Sequence, residues 1–250
     1  MSRAARYRLA FVLAAVLALE VLCRVGVIDH LTMQPPSEMV RDLAVLLASG
    51  AMNGAMLKTF INVAIAAGLA VAAGIAFGVA LHGHRAVRQG FEPLFATYYA
   101  IPVYAFYPLF IILFGLGDTP QILIGFMLAV VAVIVNTLNG LDHVSRALIK
   151  TARVYRMGPI ATARRITLPS AAPWLLTGVK LAVAYAFIGV IGAEFIMSRT
   201  GIGYEISFAY NNFDNKTMYP LILLILAVSV LVNATLSHWE QLLMRRRGQS

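Results

Sequence analysis

Six apolar runs, at about residues 9–28, 59–81, 93–115, 121–138, 172–197 and 219–239, dictate most of what this chain can become. Each is close to the ~20 residues a helix needs to cross the hydrocarbon of a bilayer. Charge is scarce to match. Only 12% of the 250 residues are Asp, Glu, Lys or Arg, 60% are hydrophobic, and the mean hydropathy is +0.79. A soluble domain carries about twice that charge. The fold class that follows is all-α, a polytopic membrane helix bundle of about six transmembrane helices.

The basic residues gather in the connections between runs. With both termini placed inside the cell, the inner side holds Arg3, Arg6 and Arg8, then Arg85 and Arg88, then six basic residues from Arg146 to Arg165, then Arg245, Arg246 and Arg247. The outer side holds only Arg41, Lys58, Arg199 and Lys216. This imbalance fixes orientation by the positive-inside rule. A net charge of +9 would otherwise suggest nucleic acid, but no continuous basic patch is present, so no nucleic-acid partner is expected. One cysteine, Cys23, excludes a disulfide framework within the chain and any multi-cysteine metal site. His82 and His84 have no acidic or cysteine neighbour within their own loop, and no metal is expected there.

In order along the chain, residues 1–28 read as an N-terminal cytoplasmic end and a first span. Its arginines and apolar run resemble a signal peptide, but no A-x-A site follows, so the span is expected to stay uncleaved. Glu20 and Arg24 sit at i, i+4 and can pair. Residues 29–57 form an outer segment with a short amphipathic helix, for which Ser37 is the expected N-cap. Residues 58–239 make a five-span core that includes the inner loop 140–169, and residues 240–250 a basic cytoplasmic tail. Gly74 and Gly78 form a GxxxG pair that lets another helix approach. Pro102 and Pro108 interrupt the third span, and Asn136, Asn139 and Gly140 are the expected stop of the fourth. Residues 198–218 read as an outer segment broken at Gly201 and Gly203.

The inner loop has its own pattern. In KTARVYRMGPIATARRITLP, residues 150–169, there are five basic residues and no acid. Val144, Leu148, Ala152 and Tyr155 recur at helical spacing opposite Arg146, Lys150 and Arg153, which gives an amphipathic helix with a basic outer face. Gly158 and Pro159 are the expected break, a second short helix over 160–167 follows, and Pro169 closes the unit.

At these residues the chain resembles the permease subunits of ATP-binding-cassette type I importers, whose penultimate cytoplasmic loop carries E-A-A, then G, then L-P. Leu168 and Pro169 fall where that motif places its last pair, and Ala152 takes the second alanine position. Lys150 stands where the family has an acid, Thr151 where it has the first alanine, and Arg156 where it has glycine, with Gly158 two residues on. The likeness continues through PVYAFYPLFIILFG (102–115), NTLNGL (136–141) and GVIGAEFIMSRTGIGYEI (189–206). Together these resemble the branch that serves nitrate, sulfonates, taurine, bicarbonate, riboflavin and thiamine precursors.

The resemblance implies a bacterial inner-membrane protein, multi-pass with both termini cytoplasmic, whose loop is a coupling-helix hairpin. Lys150, Thr151, Ala152, Arg153, Arg156, Gly158, Pro159, Leu168 and Pro169 would contact separate ATP-binding-cassette ATPase subunits, which hold ATP and magnesium. It also implies a periplasmic or tethered solute-binding protein and a second permease copy, as a homodimer. The chain itself has no G-x-x-x-x-G-K-[ST] loop, H-E-x-x-H or G-x-S-x-G, so no catalytic residue is expected and the reading is a non-catalytic transport subunit.

Candidates for the solute pathway are Tyr104, Tyr107, Asn136, Lys180 and Glu194. Tyrosines beside proline breaks can line the route of a small organic solute, although helix packing explains them as well. Lys180 and Glu194 are nearly four turns apart on one helix, roughly 21 Å, and each needs a partner elsewhere. Two rival readings stay open: an ion-coupled secondary carrier using Glu194 and Lys180 as a relay, and a structural membrane subunit that transports nothing.

Overall fold

The computed structural model describes residues 3–29 and 32–245. Arg246 and Arg247 of the expected basic tail lie outside the described residues, as do the side chains of Arg245 and Pro159. The described residues are almost wholly helical: α1 (Arg3–Arg24), α2 (Pro36–Ser49), α3 (Asn53–Gly83), α4 (Arg85–Tyr98), α5 (Tyr107–Phe114), α6 (Asp118–Asp142), α7 (Arg146–Val154), α8 (Pro159–Thr162), α9 (Leu168–Met197), α10 (Ile202–Asn211) and α11 (Asn215–Arg245). A 3-10 turn, Val103–Phe106, precedes α5, and a π turn, Ala163–Thr167, joins α8 to α9.

Among the described residues four helical stretches are long and apolar enough to cross a membrane, and five if α4 and α5 count together as one bent span. The four contain α3, α6, α9 and α11. α1 is not among them, because Arg6, Arg8, Glu20 and Arg24 interrupt its apolar length. The third expected span is not a continuous helix either. It is broken after Tyr98 and turns by 95° before α5, with Pro102 ahead of the 3-10 turn and Pro108 in the first turn of α5. Both prolines occupy helix starts, where the missing N–H costs nothing.

The helices fall into two compact units. The first comprises Met1–Lys58 and Glu194–Val228, read on its described residues. Its core is Ile202, Ile206, Leu221 and Leu224, with Leu43, Leu46 and Met52 packed against them. Residues 198–218, expected as a broken outer segment, thus contain a packed helix, α10. α2 also starts differently from expectation. Pro36 is its first residue, and Ser37 lies inside the helix instead of capping it. The acceptor comes from α1: Glu20 takes the Ser37 N–H at 2.9 Å and the Ser37 hydroxyl at 2.6 Å, and Arg24 donates to Glu20 at 2.6 Å. A carboxylate at a helix N-terminus is favoured by the exposed N–H groups and the helix dipole.

The second unit comprises Thr59–Ala193 and Ser229–Ser250. α6 is its axis and the most buried of the long helices. α3 packs along it through the expected glycine pair. A methyl added at Gly74 would lie 2.6 Å from Val133 Cβ, and one at Gly78 would lie 2.7 Å from Thr137 Cβ. The GxxxG motif is therefore spent on packing inside the bundle. α6 does not stop at Gly140 but runs on to Asp142, because Gly140 is a contact point for Ala171 and Trp174 of α9. A buried polar knot ties α3 to α6: Asn62 donates to Gln121 at 3.1 Å and to Asp118 at 3.3 Å.

Candidate functional site: the basic elbow and the solute path

The inner loop folds as a helical elbow. Ser145 caps α7 by accepting the Ala147 N–H at 3.3 Å. The helix ends in a paired turn in which Met157 N donates to Ala152 O at 2.9 Å and Arg156 N donates to Arg153 O at 3.0 Å. That pattern is a Schellman closure, which needs a left-handed residue just past the helix. Arg156 is that residue, with φ of 49°. The break spans residues 155–158, so Gly158 and Pro159 lie where expected and Pro159 opens α8; the left-handed residue within it is Arg156, while Gly158 stays out of that region and accepts the Thr162 N–H at 2.9 Å.

The second arm also departs from expectation. It is α8 followed by the π turn, and Leu168 and Pro169 form the first turn of α9 without a stop. The helix runs unbroken from α8 through the π turn into α9, so Pro169 lies within it instead of closing the unit.

Of the apolar positions expected to hide on α7, only Ala152 is buried, at 2% exposure. Val154, Tyr155 and, across the turn, Ile160 are 79%, 76% and 82% exposed. Lys150, Arg153, Arg156, Arg164 and Arg165, on the same two arms, are exposed too. The Thr151 hydroxyl is turned back onto Ala147 O at 3.0 Å. The elbow thus presents a bare apolar crest on two basic arms.

The pathway candidates sit in different environments. Tyr104, in the 3-10 turn, crosses to α9, where its hydroxyl donates to Ile188 O at 2.8 Å and its ring covers Gly192. Tyr107 is buried in a core with Val103, Ile124 and Ala193 and presents almost no surface to a solute. Asn136 donates back to Ala132 O at 2.8 Å and packs at Gly178. Lys180 finds Glu240 of α11 at 3.8 Å, and Thr177 donates to the other oxygen of the same carboxylate at 3.0 Å.

Glu194, in the first unit, is fully buried and accepts the Gly203 N–H at 3.0 Å, so it caps the start of α10. Gly201 precedes that helix with φ of 104°, and a methyl there would run into the Glu194 carboxylate. Glu194 and Lys180 therefore each have a fixed partner from another helix.

Residues 43–248 match the sequence profile of the family described as "Binding-protein-dependent transport system inner membrane component". The chain belongs to this family. The permease is 27% identical over 184 residues to a probable ABC transporter permease protein of Brucella melitensis, covering 74% of this chain and 75% of that one. It is 26% identical over 229 residues to the putative aliphatic sulfonates transport permease protein SsuC of Bacillus subtilis, covering 92% and 83%. It is 33% identical over 152 residues to the riboflavin transport system permease protein RibX of Chloroflexus aurantiacus, covering 61% and 55%. In fold it matches a chain of the inward-facing MetNI methionine ABC transporter, with a TM-score of 0.66 at 15% identity over 76% of this chain and 94% of that chain.

The permease is thus a membrane subunit of an ABC importer, and the importer resemblance read from the elbow agrees with the family. The ion-coupled carrier is not favoured by these relatives. Several residues that matter in the permease gave no sign in the sequence. Glu240 is separated from Lys180 by the whole outer segment, and Asp142 is far in sequence from the arginine it holds, Arg88, at 2.7 Å and 2.8 Å. The Glu20 and Arg24 pair expected from i, i+4 spacing does form, at 2.6 Å, and Arg88 with Glu92, at 2.8 Å, has the same spacing.

Proposed function

We propose that this permease forms the pathway for a small anionic or aromatic organic solute handed over by a periplasmic or tethered binding protein. In this reading residues 150–169 seat a separate ATPase subunit that holds ATP and magnesium. Two copies of the permease make one assembly, with both termini and the elbow in the cytoplasm. The observation that carries the proposal is the bare crest of Val154, Tyr155 and Ile160, held by a capped α7 and a Schellman turn. Exposed apolar side chains on a rigid, water-facing helix pair are costly unless a partner covers them. The second arm runs directly into α9, so a push on the elbow is delivered to a membrane helix. The solute class rests on the nature of the relatives, which include a permease named for riboflavin and one named for aliphatic sulfonates.

The test is co-purification. Tyr155→Glu with Ile160→Glu places two charges in the crest without touching the cap or the turn. The variant is expected to reach the membrane at normal levels and lose its ATPase subunit. A stoichiometric ATPase retained by the variant would overturn the coupling assignment. Transport by the purified permease alone, driven by an ion gradient and indifferent to ATP, would overturn the importer mechanism. Identifying the solute retained by the cognate binding protein decides the substrate.

A further inference from the structure

Away from the elbow's crest, the connection between α3 and α4 meets the end of α6 and the start of α7 in a basic cavity of about 420 Å³, lined by His82, Arg85, Arg88, Glu92, Asp142 and Arg146. Its charges are unevenly matched. Arg88 consumes both carboxylates, holding Asp142 with two bonds of 2.7 Å and 2.8 Å and Glu92 with one of 2.8 Å. The His82 ring lies 3.4 Å from Asp142. Arg85 and Arg146 have no hydrogen-bond or ion-pair partner among the described residues, so two guanidiniums face the cavity uncompensated.

A second hollow, of about 350 Å³, shares Arg88 and Glu92 with the first and runs away from it between α4 and α6. Its remaining walls are Phe95, Ala96, Tyr99, Val135, Leu138 and Asn139, nearly all apolar. A cavity with unpaired arginines that opens into an apolar groove along membrane helices has the polarity profile of one amphipathic anion. We propose that this is a binding site for an anionic phospholipid. Arg85 and Arg146 take the phosphate, the Arg88 pair forms the floor, and an acyl chain follows the groove past Phe95, Tyr99 and Leu138. Guanidiniums suit the role because they meet phosphate oxygens with two parallel donors. Basic pockets at the inner ends of membrane helices are where acidic headgroups are held. The proposal rests on the chain being a membrane protein and not on its solute or its ATPase.

The experiment uses the intact assembly, exchanged into detergent with defined lipid and examined by native mass spectrometry. The probes are a dioleoyl phosphatidylglycerol, a dioleoyl phosphatidylcholine, and inorganic phosphate without lipid. The wild type is expected to retain phosphatidylglycerol over phosphatidylcholine. Arg85→Ala with Arg146→Ala, which leaves the Arg88 and Asp142 pair intact, is expected to weaken that retention about thirtyfold. Arg85→Lys with Arg146→Lys should recover most of it. The thermal midpoint in phosphatidylcholine should be the same for all three proteins, which separates lost binding from lost fold. Tyr99→Ser is expected to shorten phosphatidylglycerol residence while leaving inorganic phosphate binding unchanged. Equal phosphatidylglycerol retention by the alanine variant and the wild type would overturn the proposal. So would full competition by millimolar phosphate together with no effect of Tyr99→Ser, since the cavity would then hold a free anion.

Discussion

Replacing Arg156 by glycine is expected to strengthen the elbow, although it removes a charge and every contact of a long side chain. Arg156 sits at φ of 49°, where an L-residue is disfavoured by about 1–2 kcal/mol through the approach of its Cβ to the following carbonyl. Glycine escapes that penalty but gives up about 0.5–1 kcal/mol of extra chain entropy on folding. The balance is a gain of about 0.5–1 kcal/mol, confined to the last turn of α7. Its reporters are the amides of Tyr155, Arg156 and Met157, which donate to Thr151, Arg153 and Ala152. Native-state hydrogen exchange at these amides should slow about two- to fivefold in the glycine variant, while the amides of α6 do not change. Arg156→Asn should give part of the gain, Arg156→Ala none, and Arg156→Val a loss, because the ordering follows tolerance of the left-handed region. If glycine and alanine slow exchange equally, the benefit comes from removing a positive charge in a basic cluster, and the backbone reasoning is wrong.

Gly74→Ala should lower the thermal midpoint by several degrees, since its methyl meets Val133 at 2.6 Å and overpacking costs about 1–3 kcal/mol; Gly68→Ala, with open space around it, should be neutral or slightly stabilising in the same assay. Glu240→Leu leaves Lys180 without its ion-pair partner, while Thr177 keeps Pro173 O, and should cost about 1–3 kcal/mol, whereas Lys180→Met with Glu240→Leu should recover part of the loss. Full additivity of the two substitutions in thermal unfolding would mean the pair is not coupled. Gly201→Ala should be more damaging than Glu194→Gln, because the first both strains a φ of 104° and strikes a buried carboxylate, while the second keeps an oxygen for the Gly203 N–H; equal yields of folded protein from the two would count against the capping role of Glu194.

The bundle was legible because hydrocarbon imposes a coarse demand: a run of about 20 apolar residues is visible whatever its neighbours are. The elbow was legible for the same kind of reason, since its charges and its spacing are local. What failed was punctuation. Gly140 and Pro169 look like stops, yet Gly140 is small because Trp174 and Ala171 press against it, and Pro169 sits in a helix that runs on from the π turn without a break. Ser37 looks like a cap, but the acceptor arrives from Glu20 on another helix. Arg156 hides a left-handed residue because nothing in an arginine signals positive φ. Each miss depends on a tertiary neighbour or on a backbone choice that the side chain does not announce. The partners of the charged candidates were invisible for a stronger reason. Lys180 with Glu240 and Arg88 with Asp142 join helices far apart in the chain, and a single sequence carries no record of that proximity.

On the coupling proposal, the location of compliance in the second unit decides what an ATPase stroke can do. α7 is closed at both ends, by Ser145 and by the Schellman turn, so its own hydrogen bonds hold it as a short rigid rod. α9 is pressed so closely to α6 that a methyl on Gly189 would lie 2.6 Å from the Gly125 Cα, and Gly140 and Gly178 mark two more contact points on the same pair. Closely packed helices slide or tilt together more readily than they part. On the α9 side, the irregular step between elbow and bundle is the π turn at Ala163–Thr167, where the ladder of backbone bonds slips by a residue. Bending there lets the crest follow a moving partner while α9 and α6 tilt as one body. Tyr104 is bonded to Ile188 on α9, so the same tilt pulls on the broken α4 and α5 segment. On that proposal, a stroke at the elbow would be carried through α9 and Tyr104 to the aromatic break.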